Sequence, residues 1–196
     1  ADSVNEAKMN ALKTDEATFE AQVEGIFPEN AYPAETQLRL RVGAQVMFVR
    51  NDTSGEARYY NGKIATVEKV KPQLIVKDES GDRIEVTTEK WENIRYGLNE
   101  ETGEIEGIVD GTFEQVPLRP AWAVTIHKSQ GLTFDHVIID AGAAFSFGQV
   151  YVALSRCRTL EGIVLTTPIT RRCTFTSEEV TAFESSREPA DEVRLK

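Results

Sequence analysis

Residues 119–158 read RPAWAVTIHKSQGLTFDHVIIDAGAAFSFGQVYVALSRCR. Two polar-rich runs, TIHKSQG at 125–131 and VYVALSRCR at 150–158, flank the apolar run VIID at 137–140. Pro120 suits the first turn of a helix, and Trp122 and Ile126, four apart, would then share one face. Gly131 stands where such a helix would stop, because glycine enters the left-handed conformation without penalty. The spacing therefore predicts a helix ending at Gly131, a buried strand over VIID, and a second helix from about Gly148. That second helix would bury Val150, Val152 or Ala153, and Leu154, and would present Arg156 and Arg158 near its C-terminal end. Helix, short strand and helix in alternation indicate an α/β layer structure.

The polar residues gathered by this arrangement are Thr125, His127, Lys128, Ser129 and Gln130, with Gly131 closing the turn. Taken singly each has a plain role. A lone histidine or lysine is usually solvated, a late arginine complements the helix dipole, and Thr125 or Ser129 can satisfy backbone groups near a helix end. Together they form a set of donors of several kinds ahead of a glycine, followed by a strand and a helix ending in S-R-x-R. Such donors suit phosphate: hydroxyls and lysine take single oxygens, while an arginine fork takes two.

TIHKSQGLTFD is similar to motif V of superfamily-one helicases, and VYVALSRCR is similar to their motif VI. The spelling HKSQG with VALSR resembles the RecD-like branch, which includes the Pif-type helicases and conjugative TraA-type proteins. The resemblance implies an α/β fold: a second RecA-like domain of the P-loop NTPase helicase type, interrupted by a Src-homology-3-like small β-barrel. It also implies ATP-driven movement along single-stranded DNA in the five-prime to three-prime direction, with DNA repair and recombination, genome maintenance and conjugative transfer left open as roles; the two cysteines suit reduced thiols in a cytoplasmic protein. By position in the motifs, Arg156 is implied as the catalytic arginine finger. Gln130 and Gly131, with Arg156, are implied on the ATP side, and Thr125, His127, Lys128 and Ser129 on the single-stranded DNA. Arg158 is left as a support of the helix end.

The sequence contains no G-x-x-x-x-G-K-[ST] and no Asp-Glu pair after an apolar strand. The resemblance therefore assigns ATP and Mg²⁺ mainly to a first RecA-like domain elsewhere in a full-length chain, with residues 1–196 inactive alone. The rival from another class is a non-catalytic nucleic-acid- or protein-binding module. Two histidines and the cysteines Cys157 and Cys173 form no metal-ligand spacing, so no structural metal is expected.

Charge sharpens the choice. The 196 residues carry a net −10, which by itself disfavours nucleic acid. Its distribution is uneven. Residues 119–173 hold 6 basic and 3 acidic side chains, whereas residues 1–40, 41–118 and 174–196 are each net negative. The single positive block is the one that holds both motifs. No run of the sequence approaches a transmembrane helix, and no membrane partner is expected.

The rest of the chain divides at composition changes. VNEAKMNAL resembles the stretch after motif IV in the same family, so residues 1–42 are read as the first part of the RecA-like domain and a connector, entered from a longer protein. Residues 43–118 read as short strands with turns at Tyr59-Tyr60-Asn61-Gly62, Glu79-Ser80-Gly81-Asp82 and Asn99–Gly103, the pattern of a small barrel. GAQVMFVRND and YNGKIATV resemble the opening of the family's inserted domain 2B, while the acidic segment 98–114 departs from it. Residues 119–186 complete the RecA-like domain, called 2A, with GIVLTTP as a further strand, and 187–196 form a charged tail or linker. Ser177 can cap a last short helix.

Overall fold

The computed structural model describes residues 1–98, 104–142, 148–171 and 176–186. The chain divides into two compact units, Ala1–Val124 and Thr125–Lys196. The first opens with helix α1 (Asp2–Ala11) and strands β1 (Glu16–Glu20) and β2 (Gln22–Gly25), then passes a 3-10 turn at Glu29–Ala31 to β3 (Gln37–Arg41). Strands β4 (Gln45–Phe48), β5 (Ile64–Lys69), β6 (Leu74–Asp78) and β7 (Arg83–Val86) follow. The long β8 (Glu89–Leu98) and β9 (Ile105–Gln115) come next, then the short β10 (Leu118–Pro120).

Strands β4 to β7 form an antiparallel meander, and β10 adds to β4, giving a five-stranded sheet in the order β10-β4-β5-β6-β7. Period-two alternation sends Val46, Phe48, Ala65, Val67, Leu74, Val76, Ile84 and Val86 into one core. Phe48 and Tyr59 stack there with ring centroids 4.1 Å apart. The antiparallel pair β1–β3 contributes Leu38 and Leu40 to the same core, and α1 contributes Met9. The expected turns form as local chemistry dictates. Gly62 and Gly81 take positive φ, and Asp78 Oδ1 accepts the amide of Asp82 at 2.8 Å while Oδ2 meets Lys63 Nζ at 2.7 Å.

The strands of 43–118 do not all join one sheet. β8 and β9 pair along their whole length as a hairpin, and β9 also takes β2, giving a three-stranded sheet in the order β2-β9-β8. Two causes are local to the crossing of β2 and β9. An added Cβ at Gly111 would lie 2.5 Å from the carbonyl oxygen of Ile26, so only glycine admits the close backbone approach. Beside it the fully buried Phe113 packs its ring 4.8 Å from Tyr32, 5.8 Å from Phe27 and 6.0 Å from Trp91, centroid to centroid. The aromatic cluster ties the N-terminal segment to the hairpin. The turn expected at Asn99–Gly103 lies outside the described residues.

The second unit holds β11 (Val137–Ile139), α2 (Gln149–Leu154), β12 (Ile163–Leu165) and α3 (Glu178–Ser186). β11 and β12 are parallel, with α2 between them in sequence, so they form a β-α-β unit. Ile139, Ala141, Val150 and Ala153 make its small core, against which Ile126 and Leu154 pack. VIID, the helix after Gly148 and GIVLTTP therefore take the expected conformations. The architecture is α/β, and among the described residues no helix is long and apolar enough to cross a membrane. Cys157 is a half-buried free thiol. Cys173 and the tail 187–196 lie outside the described residues.

One expected helix is absent. Pro120 ends β10 opposite Val46, on the edge of the five-stranded sheet where its missing N–H does no harm. Trp122 packs on the core of the first unit and Ile126 on that of the second. Their spacing by four serves two separate cores rather than one helical face.

Candidate functional site

TIHKSQG folds as a compact turn at the start of the second unit. The amide of Ser129 donates to the carbonyls of Thr125 (3.0 Å) and Ile126 (3.2 Å), and the amides of Gln130 and Leu132 donate to His127 (3.2 Å) and Ser129 (3.0 Å). Thr125 starts the turn in the manner of an N-cap: its Oγ1 accepts the amide of Lys128 at 3.3 Å. Ser129 is buried and donates its hydroxyl to the Ile126 carbonyl at 2.7 Å. Gly131 closes the turn at φ +80°, and a Cβ there would meet nothing within 4 Å. Backbone conformation rather than crowding keeps glycine at this place. The turn presents His127, Lys128 and Gln130 to solvent, together with Thr125 and Gly131, while Ser129 faces inward.

Arg156 follows the end of α2 and reaches back toward this turn. Its Nε donates to the carbonyl of Val152 (3.0 Å), one terminal nitrogen to the carbonyl of Leu132 (3.2 Å) and the other to Ser155 Oγ (3.0 Å). Ser155 is itself fixed, its hydroxyl donating to the Val152 carbonyl at 3.0 Å. All three acceptors are neutral, and among the described residues no carboxylate pairs with Arg156. Among the described residues the guanidinium is thus oriented without being neutralised, and two of its five N–H groups find no acceptor there. Arg158 differs: it forms an exposed ion pair with Asp135 at 3.4 Å.

The backbone locks the two runs to each other. The amide of Phe134 donates to the Arg156 carbonyl at 2.8 Å, and the amide of Arg158 donates to the Phe134 carbonyl at 3.1 Å. The result is an isolated parallel bridge between Phe134 and Cys157, ahead of the β11–β12 pairing in sequence. Thr125, Ser129, Gly131 and Arg156 are brought into one constellation around Leu132. The residues that sequence reading left out are Leu132 and Ser155, which hold the arginine. Ser155 stands in the quoted run, whereas a backbone carbonyl such as that of Leu132 leaves no mark in a sequence.

Residues 120–164 match a family described as the UvrD-like helicase C-terminal domain. The ATP-dependent DNA helicase Pif1 of Bdellovibrio bacteriovorus is 33% identical over 171 residues, which are 84% of this chain and 36% of that protein. Unliganded Pif1 from Bacteroides sp. superposes with a TM-score of 0.84 at 38% identity, over 94% of this chain and 42% of that one. In sequence and in fold the chain matches the C-terminal part of Pif1-type DNA helicases. It spans between a third and a half of these Pif1 relatives' own length. Bacteroides Pif1 in complex with ADP-AlF3 and single-stranded DNA is also similar, with a TM-score of 0.71 at 38% identity, over 94% of this chain and 42% of that one.

Proposed function

We propose that this chain is the C-terminal motor half of an ATP-dependent DNA helicase that translocates along single-stranded DNA in the five-prime to three-prime direction. The observation that carries the reading is Arg156: a guanidinium oriented by three neutral acceptors, with neither a carboxylate partner nor an acceptor for two of its N–H groups among the described residues. That is the state in which an arginine finger serves, because its charge stays available for a phosphoryl group. The Pif1 relatives support the same reading, including one bound to both a nucleotide analogue and single-stranded DNA.

In this reading the β-α-β unit belongs to a second RecA-like domain, 2A, and the five-stranded antiparallel sheet is its inserted Src-homology-3-like barrel, 2B. ATP with Mg²⁺, when bound, supplies the phosphoryl group whose transfer drives movement, and its main cradle belongs to a first RecA-like domain. Arg156 faces the γ-phosphate from the 2A side and stabilises charge that develops on it. Thr125, His127 and Lys128 contact the DNA backbone without reading bases. Ser129, buried under the turn, contributes by holding that turn in shape. Gly131 and Gln130 lie between the two functions. The bridge from Phe134 to Cys157 makes the DNA-side turn and the arginine move together.

The test is DNA-stimulated ATP hydrolysis by the full-length protein, wild type against Arg156→Ala. Turnover falls by about 10³-fold or more while nucleotide affinity is largely kept. Unchanged turnover by a folded variant refutes the reading.

A further inference from the structure

The segment between β10 and the turn at Thr125 is pinned step by step, and the last pin is a side chain. β10 pairs with β4 as far as Pro120. Ala121 then donates its amide to the Gln45 carbonyl at 2.9 Å, and its own carbonyl accepts Gln45 Nε2 at 2.9 Å. Two residues on, Ala123 repeats the pattern with Asn5: its amide donates to Oδ1 at 2.9 Å, and its carbonyl accepts Nδ2 at 2.8 Å. A carboxamide offers N–H donors and a C=O acceptor, as a strand does, so Asn5 stands in for the next residue of a partner strand. Asparagine is otherwise a poor occupant of a helix interior. Met9, one turn further along α1, is buried in the core of the first unit and fixes the face from which Asn5 reaches.

We propose that Asn5 is a positioning residue for DNA binding. Val124 alone separates Ala123 from Thr125, and Thr125 is the residue on which the turn is built. Its carbonyl accepts the Ser129 amide at 3.0 Å, and its hydroxyl accepts the Lys128 amide at 3.3 Å. With Ala123 held, the turn grows from an ordered stem, and Thr125, His127 and Lys128 are already arranged when a strand of DNA arrives. Without Asn5 the stem is loose, and its order has to be restored on binding. That loss falls on affinity for DNA and not on the chemistry of ATP. The inference rests on the DNA-side role proposed above for the turn.

The test measures ATP hydrolysis by the full-length protein against increasing single-stranded oligonucleotide, for wild type, Asn5→Ala, Lys128→Ala and Val67→Ala. Val67→Ala truncates a core residue of the same unit and is the control for lost stability. In Asn5→Ala the oligonucleotide concentration for half-maximal stimulation rises about tenfold, the weight of one backbone residue left to be ordered on binding. Turnover at saturating DNA and KM for ATP stay within about twofold. A purely structural loss would instead shrink the active fraction and leave half-saturation in place, as Val67→Ala does. Amide exchange at Lys128 and Ser129 quickens in Asn5→Ala and not in Val67→Ala. Where Asn5→Ala fails to fold, Asn5→Asp, which keeps the acceptor for the Ala123 amide, carries the same comparison with a rise of about threefold. Half-saturation moved by less than about twofold in the folded variant, or exchange at Lys128 and Ser129 unchanged, overturns the proposal. If Lys128→Ala has raised half-saturation in the same assay, the DNA-side reading of the turn still stands. If Lys128→Ala leaves it unmoved, that reading fails and this proposal falls with it.

Discussion

Asn5 offers a direct measurement of how the N-terminal helix is fastened. From the first half of α1 its side-chain amide spans 118 residues of sequence: Oδ1 accepts the amide of Ala123 at 2.9 Å, and Nδ2 donates to the carbonyl of Ala123 at 2.8 Å. A longer contact reaches the carbonyl of Pro120 at 3.4 Å. Asn5→Ala removes two well-formed hydrogen bonds worth about 1 kcal/mol each and leaves a half-buried amide and carbonyl to find water, which costs up to about 1 kcal/mol more. Against this, alanine improves the helix by about 0.6 kcal/mol. The expected net loss is about 2 kcal/mol, or a fall of about 1 M in the urea midpoint for a slope near 2 kcal/mol/M. Both tryptophans, Trp91 and Trp122, lie within Ala1–Val124, so fluorescence follows the unfolding of that unit and not of the other. Glu6→Ala, at an exposed position of the same helix, isolates the propensity gain. A loss under about 0.5 kcal/mol for Asn5→Ala would mean that the amide pair is not holding α1, and the reasoning would fail.

Phe113→Ala, which empties the centre of the four-ring cluster, is expected to cost about 3–5 kcal/mol and to shift Trp91 emission; a cost near 1 kcal/mol would show that the neighbouring rings close the gap. Stability should fall with acid. Asp52, hydrogen-bonded by Arg58, and Asp78, hydrogen-bonded by Lys63, both hold their protons more weakly in the folded chain than an ordinary carboxyl does. The unfolded chain therefore binds more protons, and the stabilisation is complete above about pH 4 and is lost progressively below it, as thermal melting across pH would record. Arg158→Ala breaks only an exposed ion pair, so it should change stability by less than about 1 kcal/mol in the same melts. In the full-length protein it should also leave turnover far closer to wild type than Arg156→Ala does.

What the sequence made legible was local. Asn61-Gly62 and Gly81 announce turns because only a few residue types accept those backbone angles, and Gly131 marks the end of its turn for the same reason. The β-α-β unit could be read because an apolar strand, a buried helical stripe and a second strand follow one another within a few dozen residues. The pairing of β2 with β9 could not, since it joins segments about ninety residues apart through a glycine contact and an aromatic cluster that no periodicity marks. The misread helix before Gly131 came from a true spacing, Trp122 and Ile126, whose two members serve different cores. Arg156 could be singled out as a candidate by its motif, but its setting could not be read, because two of its three acceptors are main-chain carbonyls.

Those two carbonyls have a consequence for sequence drift. No side chain at position 132 or 152 is recruited to hold the guanidinium, so substitutions there are limited by packing alone, and the arginine keeps its aim as long as the chain trace is kept. Position 155 is the exception, since its hydroxyl is a true acceptor. Libraries randomised at 132, 152 and 155 should therefore return apolar residues of many shapes at the first two positions and a narrow choice, serine foremost, at the third.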